Sequence, residues 1–199
     1  MAAQISMLES MQSVAVYCGS ATGNSPAYTQ AAQELGTELA RRGLNLVYGG
    51  GNIGLMREVA QACLAAGGTV TGVMPQSLVD LEISHPGLTI LEVVGSMAER
   101  KTRMEQLADA YICLPGGVGT LEELTEVLTL QQLGHIRGPV GLVNTADFWR
   151  PFYAMYAAMA ESGFILPRFV DSLVMKEKPQ DILDEFSHWS YPGTKWDND

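Results

Sequence analysis

Basic residues are scarce in this chain: 12 Lys and Arg stand against 22 Asp and Glu, giving a formal net charge of −10 over 199 residues. Nucleic acids and anionic membranes need concentrated positive charge, so neither is expected as a partner, and any bound anion must be held locally. Cysteine is scarce as well. Cys18, Cys63 and Cys113 form no C-x-x-C pair, and two of them close apolar runs, which predicts buried thiols in a reducing compartment. No basic region followed by an apolar run stands at the N-terminus, and no stretch approaches 18 consecutive apolar residues, so a cytoplasmic protein is the expectation. Missing too is the dinucleotide fingerprint: no G-x-G-x-x-G with a later ribose-binding acid follows the first strand, which disfavours NAD.

What is present is a hydrophobic fraction of 47%, ample for one core, distributed as alternating strand and helix patterns. The spacing predicts a leader over 1–12, one domain over 13–187 and a poorly ordered tail over 188–199. Strands are expected at 13–18, 44–48, 69–74, 88–94, 111–114 and 139–143, with a seventh, edge strand at 171–176. Helices fall between them, the first capped by Ser25 with Pro26 at its opening position. Such alternation predicts an α/β, single-domain Rossmann-like fold, with a parallel sheet of six or seven strands and helices on both faces. Ligands of such sheets bind beyond the carboxyl ends of the strands, where the loops after strands one, two and five all carry glycine.

The most informative stretch is 110–134, an apolar strand that passes through Pro115-Gly116-Gly117-Val118-Gly119 into a helix opening near Thr120. The glycines remove bulk where backbone can press on an anion, and the helix start offers free N–H groups to it. Glu123 lies one turn beyond Thr120, whereas Glu122 is rotated by roughly 100°, which makes Glu123 the better candidate for chemistry. Thr120-Leu121-Glu122-Glu123 also spells a capping box, a purely structural reading of the same residues. In the helix expected from residue 97, Arg100, Lys101 and Arg103 oppose the macrodipole, which suits either an anion site or a solvated face paired with Glu99 or Glu105.

The run PGGVGTLEE resembles the PGGxGTxxE motif of the Lonely guy family, the cytokinin-activating phosphoribohydrolases often misnamed lysine decarboxylases. Val16–Ser20, the YGGG and GLM segments at 48–56, and Glu99-Arg100-Lys101 resemble the family's other motifs, in order, across about residues 13–175. The resemblance implies a Rossmann-like homodimer that hydrolyses the N-glycosidic bond of cytokinin nucleoside 5′-monophosphates to free base and ribose 5-phosphate. It implies Glu123 and Arg100 as catalytic residues. For substrate and phosphate it implies Ser20, Gly50, Gly51, Glu82, Lys101, Gly116, Gly117, Val118, Gly119, Thr120, Leu121, Glu122 and Thr129. No metal or cofactor is implied. Ala98 and Arg57 depart from the family pattern, where histidine and glycine are common. Two other readings stand beside this one: a broader nucleosidase acting on AMP, and a noncatalytic carrier of a phosphorylated ligand like the molybdenum-cofactor carriers. Lysine decarboxylation is set aside, because no context for a Schiff-base lysine is visible.

Overall fold

The computed structural model describes residues 11–81 and 83–197. Most of the expected leader, and Glu82, therefore lie outside the described residues. The chain runs β1 (Ser13–Tyr17), α1 (Pro26–Arg41), β2 (Asn45–Tyr48), α2 (Gly54–Ala65), β3 (Val70–Pro75), α3 (Gln76–Val79), β4 (Ile90–Val94) and α4 (Met97–Leu107). It continues through β5 (Ala110–Cys113), α5 (Val118–Leu133), β6 (Val140–Val143), α6 (Arg150–Glu161), α7 (Pro167–Asp171), β7 (Val174–Lys176) and α8 (Pro179–Phe186).

Among the described residues all seven strands are parallel, in the order β4-β3-β2-β1-β5-β6-β7. The chain builds outward from β1 to β4, then returns to the other side of β1 and builds outward again. β1 and β5 therefore flank the switch point, where loops diverge and leave a crevice. Period-two alternation sorts the core into two layers. Val14 and Val16 face Leu35, Leu39, Leu55 and Val59 of α1 and α2 with Phe186 of α8, while Ala15 and Tyr17 face Met104, Leu124, Val127 and Phe169 on the other side. Full burial of each such Leu or Phe stabilises the fold by roughly 2 kcal/mol.

Helix α1 starts as its sequence predicts, with Pro26 at the first position and the Ser25 hydroxyl accepting from Ala27 N at 3.3 Å. At α4 the Ser96 hydroxyl accepts from Glu99 N at 3.2 Å, and the Glu99 carboxylate accepts from Gly95 N rather than from Ser96 N. The connection after β3 opens with α3, which the sequence reading does not anticipate. It then lays residues 83–85 antiparallel to the loop after β2, through Asn52 N to Ile83 O at 2.8 Å and His85 N to Gly50 O at 2.9 Å.

Residues 188–197 differ from the expected poorly ordered tail. They lie back on the domain: Trp189 Nε1 donates to Ser172 O at 2.8 Å, Tyr191 Oη to Gln131 O at 3.1 Å, and Lys195 N to Gln132 O at 2.8 Å. The physical reason lies at the ends of α5 and α7, whose last carbonyls lack their full set of intrahelical donors and accept these groups. Among the described residues no helix is long and apolar enough to cross a membrane.

Candidate active site

Helix α5 begins two residues before Thr120. Gly117, in extended backbone (φ −93°, ψ −158°), is its N-cap, and no side chain caps this end. The capping box expected from Thr120 to Glu123 is therefore not the cap. The N–H groups of Val118, Gly119 and Thr120 form the first turn and have no intrahelical acceptor, which makes this end an electropositive terminus open to an anion. Thr120 is buried, its hydroxyl packed where a side chain at Gly116 would stand: a Cβ there would lie 2.1 Å from Oγ1.

Three loops are bound to one another beside this terminus. Gly19 N donates to Pro115 O at 3.1 Å, and Leu55 N donates to Gly19 O at 3.0 Å. Gly54 makes the second contact possible, with φ +55° and no side chain, since a Cβ would fall 2.2 Å from the Ser20 carbonyl carbon. The loops after β1, β2 and β5 thus close on a single crevice.

At its floor stand Arg100 and Glu123. Arg100 reaches from α4 across the sheet, and its Nε donates to Val73 O at 3.1 Å, just past the point where the β2–β3 ladder ends at Tyr48–Gly72. The tip of its guanidinium comes up to Gly49, where a Cβ would sit only 1.6 Å from Nη2. Arg100 Nη1 is 3.4 Å from Glu123 Oε1, and both side chains are about 90% buried, with exposures of 10% and 11%. Burial pushes the Glu123 carboxyl up to about 7; Arg100 opposes that shift and Glu122 adds to it. Such a group is close to half ionised at neutral pH, the condition in which a carboxylate serves as base or as partner to a developing cation.

The cavity above the pair holds about 300 Å³. Of the residues named from sequence, Ser20, Arg100, Gly117, Val118, Gly119, Thr120, Glu122 and Glu123 line it. Gly116 lines an adjoining hollow that shares Gly19, Ser20 and Gly117 with it. Gly50 and Gly51 are buried within the loop after β2, and Leu121 is 40% exposed on α5. Thr129 is exposed about 9 Å beyond Glu123 along the helix axis, its hydroxyl donating to Thr125 O at 2.7 Å. Lys101 pairs with Glu122 and Glu126, outside the cavity wall. Arg103 is taken by Glu92 at 2.6 Å, and Arg57 by Glu58 at 2.9 Å. Ala98 is exposed and does not reach the crevice.

Sequence reasoning does not find the Val73 carbonyl, Tyr17, or the methionines Met56, Met97 and Met104 that complete the wall. Gly49 carried a signal, the run of three glycines, but its use against Arg100 depends on tertiary approach. A larger hollow of about 700 Å³ lies at the amino ends of β5 and β6, lined by Glu105, Asp109, His135 and Arg137 among others. Size does not select it, because the glycine loops, the open helix terminus and the buried ion pair all lie at the other end of the sheet. Among the described residues no three His, Cys, Asp or Glu side chains cluster to hold a metal.

Residues 56–186 match the family described as "Possible lysine decarboxylase". The chain is 49% identical over 152 residues to a rice (Oryza sativa subsp. japonica) protein named cytokinin riboside 5′-monophosphate phosphoribohydrolase, covering 76% of this chain and 63% of that protein's length. It is 46% identical over 157 residues to the Rhodococcoides fascians protein of the same name, covering 78% and 79% respectively. Among solved structures, the molybdenum cofactor binding protein of Rippkaea orientalis superposes with a TM-score of 0.69 at 21% identity, over 89% of this chain and 96% of that one, which supports the fold. With identity at this level over most of its length, the chain belongs to the Lonely guy family of cytokinin riboside 5′-monophosphate phosphoribohydrolases.

Proposed function

We propose that this protein is an N-glycosyl hydrolase that converts cytokinin nucleoside 5′-monophosphates and water into free base and ribose 5-phosphate. The observation that carries the proposal is the buried Arg100–Glu123 pair at the floor of a crevice whose rim is an uncapped helix terminus. The names of the relatives supply the substrate class.

In this reading the 5′-phosphate accepts hydrogen bonds from the first turn of α5, with Ser20 beside it, and this fixes the ribose above Glu123. The C1′–N bond breaks with its electron pair leaving on the base nitrogen. The ionised Glu123 carboxylate faces the oxocarbenium-like carbon and takes a proton from the attacking water, whose oxygen bonds to C1′. That proton balances the one the departing base acquires. Arg100 holds Glu123 in place through its own anchor on Val73 O and presents its guanidinium to the ribose or the leaving base.

The reading includes a homodimer. Strand β4 is a sheet edge exposing Ile90, Leu91 and Val93, and Met97 and Leu121 continue the exposed apolar surface beside the crevice, a surface suited to a second copy.

The test is incubation with isopentenyladenosine monophosphate, AMP and the unphosphorylated nucleoside, assaying free base and ribose 5-phosphate, with Glu123→Gln in parallel. Base release from the prenylated nucleotide well above AMP, none from the nucleoside, and a loss of about 10²-fold or more in the variant are expected. Comparable cleavage of AMP moves the reading to a general nucleosidase. No release from any nucleotide overturns hydrolysis and leaves a carrier of a phosphorylated ligand.

A further inference from the structure

Arg100 has a neighbour on α4, and Glu123 has neighbours on α5, that form a second connection parallel to the first. Lys101 Nζ is paired with the Glu122 carboxylate and lies 2.8 Å from Glu126 Oε2. Glu122 and Glu126 are four residues apart and share one side of α5, while Glu123, rotated by roughly 100° from Glu122 and roughly 60° from Glu126, reaches the floor of the crevice. The cavity wall accordingly includes Arg100, Glu122 and Glu123 but neither Lys101 nor Glu126. The Lys101 side chain is only 16% exposed, and its ammonium is held between the two carboxylates, off the cavity wall.

We propose that Lys101 is a positioning residue: with Glu126 and Glu122 it forms an outer rung between α4 and α5 that fixes the Arg100–Glu123 pair, and it does not touch the substrate. The inference rests on the proposed hydrolytic function and departs from the substrate contact that family resemblance implies for this position.

Two physical arguments support it. Like charges four apart on a helix repel, so Glu122 and Glu126 need a shared cation to stay on one face, and Lys101 provides it. Around Glu123 stand Arg100 and Lys101 from α4, Glu122 and Glu126 from its own helix, Tyr17 and Cys18 from β1 and its exit, and Cys113 from β5, with Glu105 of α4 facing Lys101, Glu122 and Glu126. Of these, Glu122 and Glu126 raise the Glu123 carboxyl, while Arg100 and Lys101 lower it. Glu105, itself pushed up to about 7 mainly by burial, is held down by the same lysine. Without Lys101 these carboxylates lose their shared counter-charge, and Glu123 is protonated at higher pH. The lysine is in turn held charged by Glu122 first and Glu126 second, its own value raised to about 12.

The experiment is steady-state kinetics from pH 5 to 9 on the wild type, Lys101→Met, Lys101→Arg, Glu126→Gln and the Lys101→Met/Glu126→Gln double variant, with Glu123→Gln as the inactive reference. Lys101→Met is expected to lower kcat at pH 7 by about tenfold or more, with KM changed less than about threefold. Its acid limb of kcat moves to higher pH. Lys101→Arg, which keeps a bridging cation, restores kcat to within about threefold of the wild type. Glu126→Gln moves the acid limb the other way, and the double variant lies closer to the wild type than Lys101→Met alone, the non-additivity expected of a shared network. A Lys101→Met variant whose KM rises tenfold while kcat and the acid limb stay put overturns the inference and returns Lys101 to substrate contact. If the wild type turns over no nucleotide, the proposed function fails on its own. The rung is then judged by thermal unfolding: Lys101→Met must enlarge the stability lost between pH 5 and 8, and an unchanged pH dependence overturns it.

Discussion

Replacing Gly49 with alanine tests the geometry of the crevice floor at its tightest point. A Cβ at this position would lie 1.6 Å from Arg100 Nη2, 2.7 Å from Cζ and 3.3 Å from Nε. Carbon and nitrogen settle at about 3.5 Å or more, so the guanidinium must retreat by about 2 Å. It has nowhere to go without losing a partner, because Nε is bound to Val73 O at 3.1 Å and Nη1 faces Glu123 at 3.4 Å. Gly49 is not in the left-handed region, so alanine introduces no backbone strain and the effect is steric alone. Misplacing a catalytic group by about 1 Å costs about 10²-fold in rate, equivalent to roughly 2.7 kcal/mol of transition-state stabilisation. Overpacking costs about 1–3 kcal/mol of stability, which in a chain of this size lowers Tm by several degrees. The assay is kcat/KM for base release from the nucleotide at 25 °C, with thermal unfolding measured on the same preparation. A variant with wild-type kcat/KM and unchanged Tm would refute the placement of Arg100 against Gly49.

Gly119→Ala is the converse case. Its Cβ would meet no atom within 4 Å, in the first turn of α5 and on the cavity wall. Helix propensity predicts a gain of about 0.5–1 kcal/mol, while the added methyl group crowds the phosphate; Tm equal to or above the wild type with KM raised about tenfold is expected, and an unchanged KM removes this turn from phosphate binding. Thermal unfolding of the wild type and Glu123→Gln across pH 5 to 8 tests the burial of Glu123 without reference to activity. A carboxyl raised from 4.5 in the unfolded chain to about 7 in the fold contributes stability that is complete below 4.5 and is lost as pH rises through 7. The wild type should therefore lose on the order of 2 kcal/mol relative to the variant between pH 5 and pH 8, and a constant difference would mean that Glu123 is solvated. In the same window kcat should fall about tenfold per unit below pH 7, because the ionised form is the competent one.

Much of the fold was legible because its signals are local. Apolar runs such as Ser13–Tyr17 and the Ser25-Pro26 start each specify their own element, and strand-helix alternation then leaves few topologies. Boundaries slipped where a local rule had a competitor. Thr120 reads as a cap, but Gly117 leaves the sheet early enough for the helix to begin at Val118, and Thr120 is used inside the first turn. Residues 188–199 read as poorly ordered because of their proline, glycine and acidic residues, yet Trp189 and Tyr191 find partners on α7's exit and the end of α5 that no local pattern announces. The crevice divides in the same way. The loop after β5 carries its own motif, whereas the hold on Arg100 by Val73 O joins residues 27 apart and exists only once β3 and α4 are packed. Lys101 and Thr129 show the opposite limit: a motif position names a residue but not the direction of its side chain.

The sheet order also bears on how this protein can change. The loops that meet at the crevice leave β1, β2 and β5, three adjacent strands in the middle of the sheet, and Gly19 ties them together through backbone atoms. Met56 and Met97, by contrast, stand on the first turns of α2 and α4 and meet the cavity with flexible side chains alone. Under the proposed function, reaction and base preference are therefore held by different parts of the molecule. Exchange of Met56 or Met97, one at a time, is then expected to shift the preference among bases while the Arg100–Glu123 pair stays in place.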